Sequence, residues 1–312
     1  MNKIKYYVIA LVTALVVSSC GTTRTVPITG RKQNLMVSDA EILSLSTQEY
    51  NKYMQGAKRS ANATNTAMVQ RVGQRLASAV TSFLSSNGMQ AELSQYQWEF
   101  NLVQDNNVNA FCMPGGKIVV YEGLLPVTQD EASLAVVLGH EIAHAVAKHS
   151  AEQMSNQIKQ QYGMQIGGVI ASAIGVGQDI QSIGQLIAKQ GLQFRNLKYS
   201  RDHETEADRM GLIFAAMAGY DPNVAVSFWQ RMAANSGGST SELLSDHPSD
   251  ATRINNIKNK FLPEALKYYK PVTTTASGAT TTAKKASTAK KTQLKRPLQR
   301  RPQRRNKSIS TI

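Results

Sequence analysis

The segment His-Glu-Ile-Ala-His at residues 140–144 restricts the fold of this chain more than any other feature of its sequence. In a helix, side chains four residues apart project from the same face, so both histidine rings can reach a single metal ion. The apolar residues on either side indicate that the helix is buried, and buried histidines need polar partners. The segment therefore predicts a zinc site in which His140 and His144 are ligands and Glu141 takes a proton from a water at the metal.

The helix that carries this segment is expected to begin at Thr128, where Glu131 three residues later completes a capping box, and to end at about His149. On such a helix His149 points almost opposite to His140, which predicts that it is a surface residue. A catalytic zinc needs a third protein ligand as well as an open fourth position. Position 150 is a serine, so the metal-facing side of the helix supplies no third histidine and that ligand comes from elsewhere.

Glu204 is the candidate for the third ligand. It lies four residues before Asp208 in a helix expected over about 203–218, so the two carboxylates share one face. One of them can bind zinc while the other orients a ligand histidine from outside the ligand set. Glu206, between them, is expected to face away. A solvated, charged helix end is the alternative interpretation of these acidic residues.

The remaining patterns predict an α+β, mainly helical chain. The expected helices lie at about 38–54, 69–84, 222–234 and 250–269, and the expected strands lie at 96–102 and 117–121. We expect the second strand to be the sheet edge that faces the cleft beside the metal, a central strand being the alternative. A glycine-rich stretch at 163–191 is interpreted either as a core helical hairpin or as a mobile flap beside the site.

The first 20 residues have the three parts of a secretory signal. Lys3 and Lys5 give a positive start, a short apolar run follows, and small residues precede Cys20. This ending resembles a bacterial lipobox, which predicts a signal peptide at 1–19 and a lipid on Cys20. An ordinary signal peptide with a chance cysteine is the alternative. Residues 20–36 are then expected to form an extended, lipidated leader that precedes the folded domain.

The formal net charge of +14 is concentrated at the C-terminus. The whole chain has 35 Lys and Arg against 21 Asp and Glu, and 11 of the basic residues, with no acidic ones, lie at 271–312. The rest is close to neutral, which excludes a nucleic-acid-binding domain built on a basic face. The tail at 270–312 is expected to be disordered, and it either binds anionic envelope components or is a solvated linker. Two cysteines exclude a disulfide framework, and Cys112 is interpreted as a small buried hydrophobic residue.

The motifs taken together resemble the zinc metallopeptidase family of HtpX and BepA. The pattern His-Glu-x-x-His is followed by Glu-x-x-x-Asp, within Tyr-Ser-Arg-Asp-His-Glu-Thr-Glu-Ala-Asp-Arg-Met-Gly at 199–211. Three further segments are similar to family elements: the strand and turn before the zinc helix at 109–116, a His-Pro element with a following arginine at 247–253, and the leader of lipoprotein members at 27–31. The resemblance covers about residues 25–265.

The resemblance implies a zincin-like metalloprotease domain at 37–269, with a small antiparallel sheet packed on the histidine helix and one zinc per chain. It matches Glu204 to the third zinc ligand and Asp208 to the acid that orients a ligand histidine. The sequence departs from the family pattern in that it lacks the transmembrane helices of HtpX and a helical-repeat domain after the protease, and its leader is similar to that of lipoprotein members. His247 has three interpretations, as a donor that stabilises the oxyanion, as a fourth zinc ligand in a latent state, or as a packing residue only.

Two functions from different classes follow. The first is a zinc endopeptidase on the periplasmic face of the outer membrane that degrades unfolded or misassembled envelope proteins. The outer-membrane location is favoured by Gly21 after Cys20, by resemblance to bacterial sorting rules. In it, zinc-bound water attacks the peptide carbonyl with Glu141 as the general base. The second is a lipoprotein chaperone or assembly factor with a latent site. Because His140, His144, Glu204 and Glu141 are all present, the first is preferred.

Overall fold

The structure is a computed structural model that describes residues 22–165, 194, 197–235, 243, 247 and 251–271. The expected signal peptide with Cys20, nearly all of the stretch at 163–191 and the tail after residue 271 lie outside these residues. The α+β, mainly helical fold expected from the sequence is confirmed. Within the described residues, no helix is both long and apolar enough to cross a membrane.

The leader folds back on itself as a β-hairpin. Strands β1 (Thr22–Thr25) and β2 (Lys32–Leu35) pair antiparallel, and Gly30 in the connecting turn has a φ of 71°, a conformation that glycine adopts without strain. Val26 and Leu35 are buried, with 1% and 3% of their surfaces exposed. The expectation of an extended leader is therefore wrong for residues 22–35, because their apolar side chains pack into the domain.

The helices agree with the expected positions to within about six residues, apart from the one that carries the histidines and from α4, which the sequence analysis did not predict. They are α1 (Asp39–Gly56), α2 (Ala63–Ser86), α3 (Glu131–Val146), α4 (His149–Gln165), α5 (Arg201–Met217), α6 (Val224–Asn235) and α7 (Ala251–Asn256). Ser38 and Glu41 form the expected capping box at the start of α1. A π-helical turn and a short helical turn extend the chain from the end of α7 to residue 265.

The second sheet is mixed and has three strands in the order β3–β5–β4. Strand β5 (Lys117–Tyr121) pairs parallel with β3 (Glu99–Val103) and antiparallel with β4 (Ala110–Met113). The sheet is therefore not purely antiparallel, and the expectation that 117–121 is the edge strand is wrong. All five β5 side chains are buried, as in a central strand, and β4 is the strand that packs beside α3.

Helix α3 begins and ends differently from the expectation. Asp130 is the N-cap, and its carboxylate accepts a hydrogen bond from the amide of Ser133 at 2.7 Å. Thr128 instead ends a preceding short helix, because Gln129 has a φ of 68° and breaks the backbone between them. At the other end α3 stops at Val146, and Lys148, with a φ of 55°, turns the chain into α4. This turn decides the position of the residues that follow it.

Helices α3 and α5 cross at two glycines, and this crossing sets the depth of the site. A Cβ atom on Gly139 would lie 2.5 Å from the carbonyl oxygen of Gly211, and one on Gly211 would lie 2.5 Å from the amide nitrogen of His140. The backbones therefore touch. The surrounding core is apolar and packs α3 between α2, the sheet and α5. The histidines of α3 and the acidic residues of α5 consequently face one another across a short gap.

Candidate metal centre

Four buried side chains from three parts of the chain meet at one point. His140 and His144 come from α3, Glu204 from the first turn of α5, and His247 from the segment before α7. Each offers one donor atom, and the four atoms lie within 4.8 Å of one another. Between 2% and 8% of the surface of His140, His247 and Glu204 is exposed, and His144 is more deeply buried. The structure thus brings together the three ligands expected from the sequence and adds His247 to them.

The spacing of these atoms suits zinc. The Nε2 atoms of His140 and His144 are 3.1 Å apart, and Nδ1 of His247 lies 3.2 Å from Nε2 of His140. Carboxylate oxygens of Glu204 lie 2.9 Å from Nδ1 of His247, 3.3 Å from Nε2 of His140 and 3.4 Å from Nε2 of His144. Donors that surround a tetrahedral zinc ion are about 3.3 Å apart, so the set matches that geometry.

The electrostatics of the cluster also favour a cation. Burial would raise the pKa of Glu204, but the surrounding histidines, His247 first, lower it well below its ordinary value and keep the carboxylate ionised. Burial lowers the pKa of His144 well below its ordinary range, which leaves its ring neutral. A fixed carboxylate beside a neutral imidazole is a donor set that binds zinc.

His140 is oriented by Asp208, as the sequence leads us to expect for that residue. Nδ1 of His140 lies 2.9 Å from Oδ1 of Asp208, which leaves Nε2 of the same ring directed at the cluster. Arg253 donates to both oxygens of Asp208 at 2.6 and 2.9 Å and to the carbonyl of His247 at 3.0 Å. Its guanidinium lies over the ring of Trp229, 3.6 Å from the centroid. Arg253 therefore holds both Asp208 and the backbone that carries His247.

His149 is not where the sequence analysis put it. It is completely buried, its Nδ1 lies 2.9 Å from Nδ1 of His144, and its Nε2 lies 2.9 Å from Oε2 of Glu206. Glu206 points away from the metal cluster but is buried against His149 and not solvated. The expectation of a surface histidine is wrong because it assumes that one helix runs through residue 149, whereas the turn at Lys148 brings His149 back beside His144. Helical periodicity contains no signal for such a turn.

Glu141 lies beside the cluster and is not part of it. Its Oε1 is 3.5 Å from Nε2 of His247 and has no hydrogen-bond partner among the described residues, although it is fully buried. Burial is the largest influence on this carboxyl group and raises its pKa above the ordinary value. A buried carboxylate with a free oxygen next to a metal site is suited to accept a proton from a water molecule.

A small cleft opens on Glu141 and His247 from the side of strand β4. Its other lining residues are Asn109, Ala110, Phe111, Cys112, Phe194, Leu197 and Tyr199. The ring of Tyr199 stacks on the ring of His144, with centroids 4.1 Å apart, and its hydroxyl lies 2.9 Å from the hydroxyl of Ser150. Cys112 is buried, as expected, and burial raises the pKa of its thiol well above the ordinary value. The cleft is thus bordered by strand β4, which has no further strand beside it among the described residues, and by an aromatic wall.

Comparison with known proteins identifies the family. The sequence model of peptidase family M48 matches residues 63–260, a span that contains all four donors and Glu141. The chain belongs to peptidase family M48. Its described domain is accordingly a zinc-dependent metalloendopeptidase domain, and the cluster of His140, His144, Glu204 and His247 is able to bind one metal ion.

Several curated proteins are similar to this M48 chain. The mitochondrial metalloendopeptidase OMA1 of Schizosaccharomyces pombe is 38% identical over 175 residues, 55% of this chain and 49% of that protein. The mitochondrial metalloendopeptidase OMA1 of Bos taurus is 32% identical over 246 residues, 77% of this chain and 46% of that protein. The beta-barrel assembly-enhancing protease of Yersinia pestis is 28% identical over 167 residues, 52% of this chain and 34% of that protein. The match therefore spans half or less of each relative.

Proposed function

We propose that this protein is a zinc-dependent endopeptidase of the bacterial cell envelope that degrades misfolded or misassembled envelope proteins. The observation that carries the proposal is the position of Glu141, whose unbonded Oε1 is buried beside a four-donor cluster with the spacing of a zinc site. A purely structural zinc site is closed and has no need of a carboxylate oxygen without a hydrogen bond at its side. The proposed ligands are His140, His144 and Glu204.

The catalytic roles follow from these positions. Bound zinc supplies Lewis-acid chemistry, polarising the substrate carbonyl and lowering the pKa of a water molecule. Glu141 takes a proton from the attacking water as general base and then delivers it to the nitrogen of the leaving amine. Asp208 and Arg253 keep the ring of His140 in place during this exchange. The raised pKa of Glu141 helps it take up the proton from water, because burial makes the protonated form less costly.

The proposed substrates are extended polypeptides. Strand β4 pairs with β5 along one side, and its other side borders the cleft that contains Glu141. An extended chain can add to such an edge through backbone hydrogen bonds, which require little side-chain specificity. Unfolded or misassembled proteins expose segments of this kind, and folded proteins do not. This supports a role in quality control.

The proposed location is the periplasmic face of the outer membrane, with a lipid on Cys20. The lipobox-like sequence before Cys20 supports it, as does the similarity to a bacterial beta-barrel assembly-enhancing protease. The chain is also similar to proteins named as mitochondrial OMA1, so the proposed location rests on the lipobox-like sequence. We further propose that the basic tail binds anionic envelope components.

Replacement of Cys20 tests the proposed lipid. Cys20→Ser should abolish incorporation of labelled palmitate, whereas deletion of 273–312 should leave this incorporation intact.

A chaperone or assembly factor with a latent protease site is the second candidate. The observation that favours it is that Nδ1 of His247 lies among the donors, 2.9 Å from Glu204 and 3.2 Å from His140. A fourth protein donor takes the position that a catalytic zinc keeps open for water and substrate. Both candidates thus share one site. They differ in whether that site hydrolyses peptide bonds.

Replacement of Glu141 by glutamine separates the two functions. Glu141→Gln keeps the size of the side chain and removes the base, so zinc content and melting temperature should stay at the wild-type value. Casein cleavage should fall by about 10²–10⁴-fold. The matched control is Glu131→Gln, in the first turn of the same helix, where the carboxylate pairs with Arg71 on the surface. If the inactive, zinc-loaded Glu141→Gln protein fully complements cells that lack the protein, the chaperone function is correct and the protease function is wrong.

A further inference from the structure

The loop of the N-terminal hairpin is attached to helix α5 through Glu206. Arg31 donates from Nε to Oε2 of Glu206 at 2.9 Å, and the hydroxyl of Thr29 donates to Oε1 of the same carboxylate. The guanidinium of Arg31 also donates to both oxygens of Glu152 on α4, at 2.8 and 2.7 Å. One arginine of the leader therefore joins α4 and α5, which are far apart in sequence.

This attachment continues without interruption to the metal cluster. Oε2 of Glu206 lies 2.9 Å from Nε2 of His149, and Nδ1 of His149 lies 2.9 Å from Nδ1 of His144. His149 and His144 are buried, and 7% of the surface of Glu206 is exposed. Water is thus largely excluded from the contacts between Glu206 and a proposed zinc ligand, whereas Arg31, at the other end of the row, is half-buried.

The order of donors and acceptors in this row fixes one tautomer of each ring. The carboxylate of Glu206 can only accept, so the proton of His149 lies on Nε2 and its Nδ1 has a free lone pair. That lone pair accepts a hydrogen bond from Nδ1–H of His144. Nε2 of His144 is then unprotonated and directed at the cluster, which is the state that a zinc ligand requires.

We propose that Arg31, Glu206 and His149 are positioning residues for His144, so that docking of the leader hairpin sets the zinc affinity of the site. The inference rests on the proposed zinc site. His140 has a direct carboxylate partner in Asp208, whereas His144 reaches its carboxylate, Glu206, only through His149. Glu206 in turn is held by residues of the leader. The leader is therefore a part of the metal site and not only a connection to the membrane.

A second anchor on the same hairpin provides the control. Arg24, on strand β1, pairs with Asp39 at 2.5 Å and with Glu92 at 2.7 Å. This anchor also fastens the leader to the domain. Its acidic partners pair with Lys148 as well, at 2.8 and 2.7 Å, but within the described residues neither is hydrogen-bonded to a residue of the metal cluster. Arg24→Ala and Arg31→Ala therefore remove the same type of side chain from the same hairpin, and only Arg31→Ala breaks the contact with Glu206.

The test compares zinc affinity, measured by competition with a chromophoric chelator, and the visible spectrum of the cobalt-substituted protein. We expect Arg31→Ala, Glu206→Gln and His149→Phe to bind zinc about 10–100-fold more weakly than wild type and to shift the cobalt bands. Arg31→Lys, which keeps the charge but cannot bridge two carboxylates, should lose less affinity. Arg24→Ala should lower the melting temperature and leave zinc affinity and the cobalt spectrum unchanged.

The outcomes distinguish this inference from the function on which it rests. A wild-type protein that binds no zinc would overturn both. A zinc-binding wild type whose Arg31→Ala and Glu206→Gln variants match it to within about twofold would overturn the positioning role alone. Equal loss of affinity in Arg24→Ala and Arg31→Ala would also overturn it, because the effect would then come from general loosening of the hairpin. If Arg31→Ala binds zinc more weakly than wild type and Arg24→Ala does not, the docking of the hairpin loop is coupled to zinc binding.

Discussion

Gly139 and Gly211 lie against each other where helices α3 and α5 cross, and neither position has room for a side chain. A Cβ atom on either residue would come within 2.5 Å of backbone atoms of the opposite helix. His140 follows Gly139 directly, and Glu204 lies two helical turns before Gly211. The closeness of the two backbones is what lets a carboxylate of one helix reach both histidines of the other.

Gly211→Ala tests this crossing. The added methyl group meets backbone atoms that cannot rotate away, so the helices must separate. We expect a loss of about 1–3 kcal/mol in the free energy of unfolding, measured in denaturant, together with weaker zinc binding. Gly56→Ala on α1 is the control, because a Cβ atom there has no neighbour within 4 Å. Wild-type stability in Gly211→Ala would mean that the helices do not cross this closely.

Glu204→Gln tests the third ligand. The amide is nearly the same size but carries no charge, and the cluster then has no carboxylate to balance a divalent cation. Zinc content after dialysis, measured by atomic emission, should fall sharply. Glu264→Gln is the matched change, because Glu264 pairs with Arg209 of α5 outside the cluster; its zinc content should equal that of wild type. Full zinc occupancy in Glu204→Gln would assign the third ligand to another residue.

His247→Ala distinguishes the roles of this histidine. Its Nδ1 lies among the donors, so in the described arrangement His247 fills the position that catalysis needs open. We expect the variant to bind zinc more weakly and to cleave casein faster per zinc bound. A zinc-loaded variant with slower cleavage and an unchanged KM would instead assign His247 to the oxyanion. No change in either quantity would leave it only a packing role.

The stability of the protein at acidic pH depends on the carboxyl groups that contact the leader, Glu152 and Glu206. Burial opposes ionisation of Glu152 and Glu206, but bonds from His203 and Arg31 lower the pKa of Glu152 to about 2, and bonds from His149, Arg31 and Thr29 lower the pKa of Glu206 to about 2. A carboxyl group with a lowered pKa in the folded state stabilises the fold above its unfolded pKa of about 4.5 and loses that effect as the pH falls towards 2. The metal-free protein should therefore lose stability steeply in this range.

The double variant Glu152→Gln/Glu206→Gln provides the comparison for this pH dependence. It has no carboxyl groups at these positions to protonate, so its melting temperature should start lower at pH 7 and change less between pH 4.5 and pH 2. Melting temperatures of both metal-free proteins across this range supply the measurement. If the melting temperatures of the double variant and of wild type fall in parallel with pH, protonation of Glu152 and Glu206 is not the cause of the acid instability.

The local features of this protein follow from short-range sequence patterns. The spacing of the two histidines puts them on one helical face, the Glu-x-x-x-Asp spacing puts Glu204 and Asp208 on another, and Ser38 with Glu41 starts α1 where the capping pattern predicts. These rules depend on a repeat of 3.6 residues per turn, which the sequence displays directly. They therefore predict which residues share a face and which residue types can bind zinc.

The partners of those residues were decided by tertiary structure. His149 lies beside His144 because Lys148 turns the backbone through a positive φ, and Glu206 is buried because His149 and the leader meet it there. Strand β4, not β5, is the edge because a parallel pairing with β3 places β5 in the centre. The first outcome depends on a turn that helical periodicity does not encode, and the others depend on contacts between segments distant in the chain. The repeat of a helix or strand specifies which face of that element a side chain lies on. Only the packing of the backbone specifies which residues the side chain contacts.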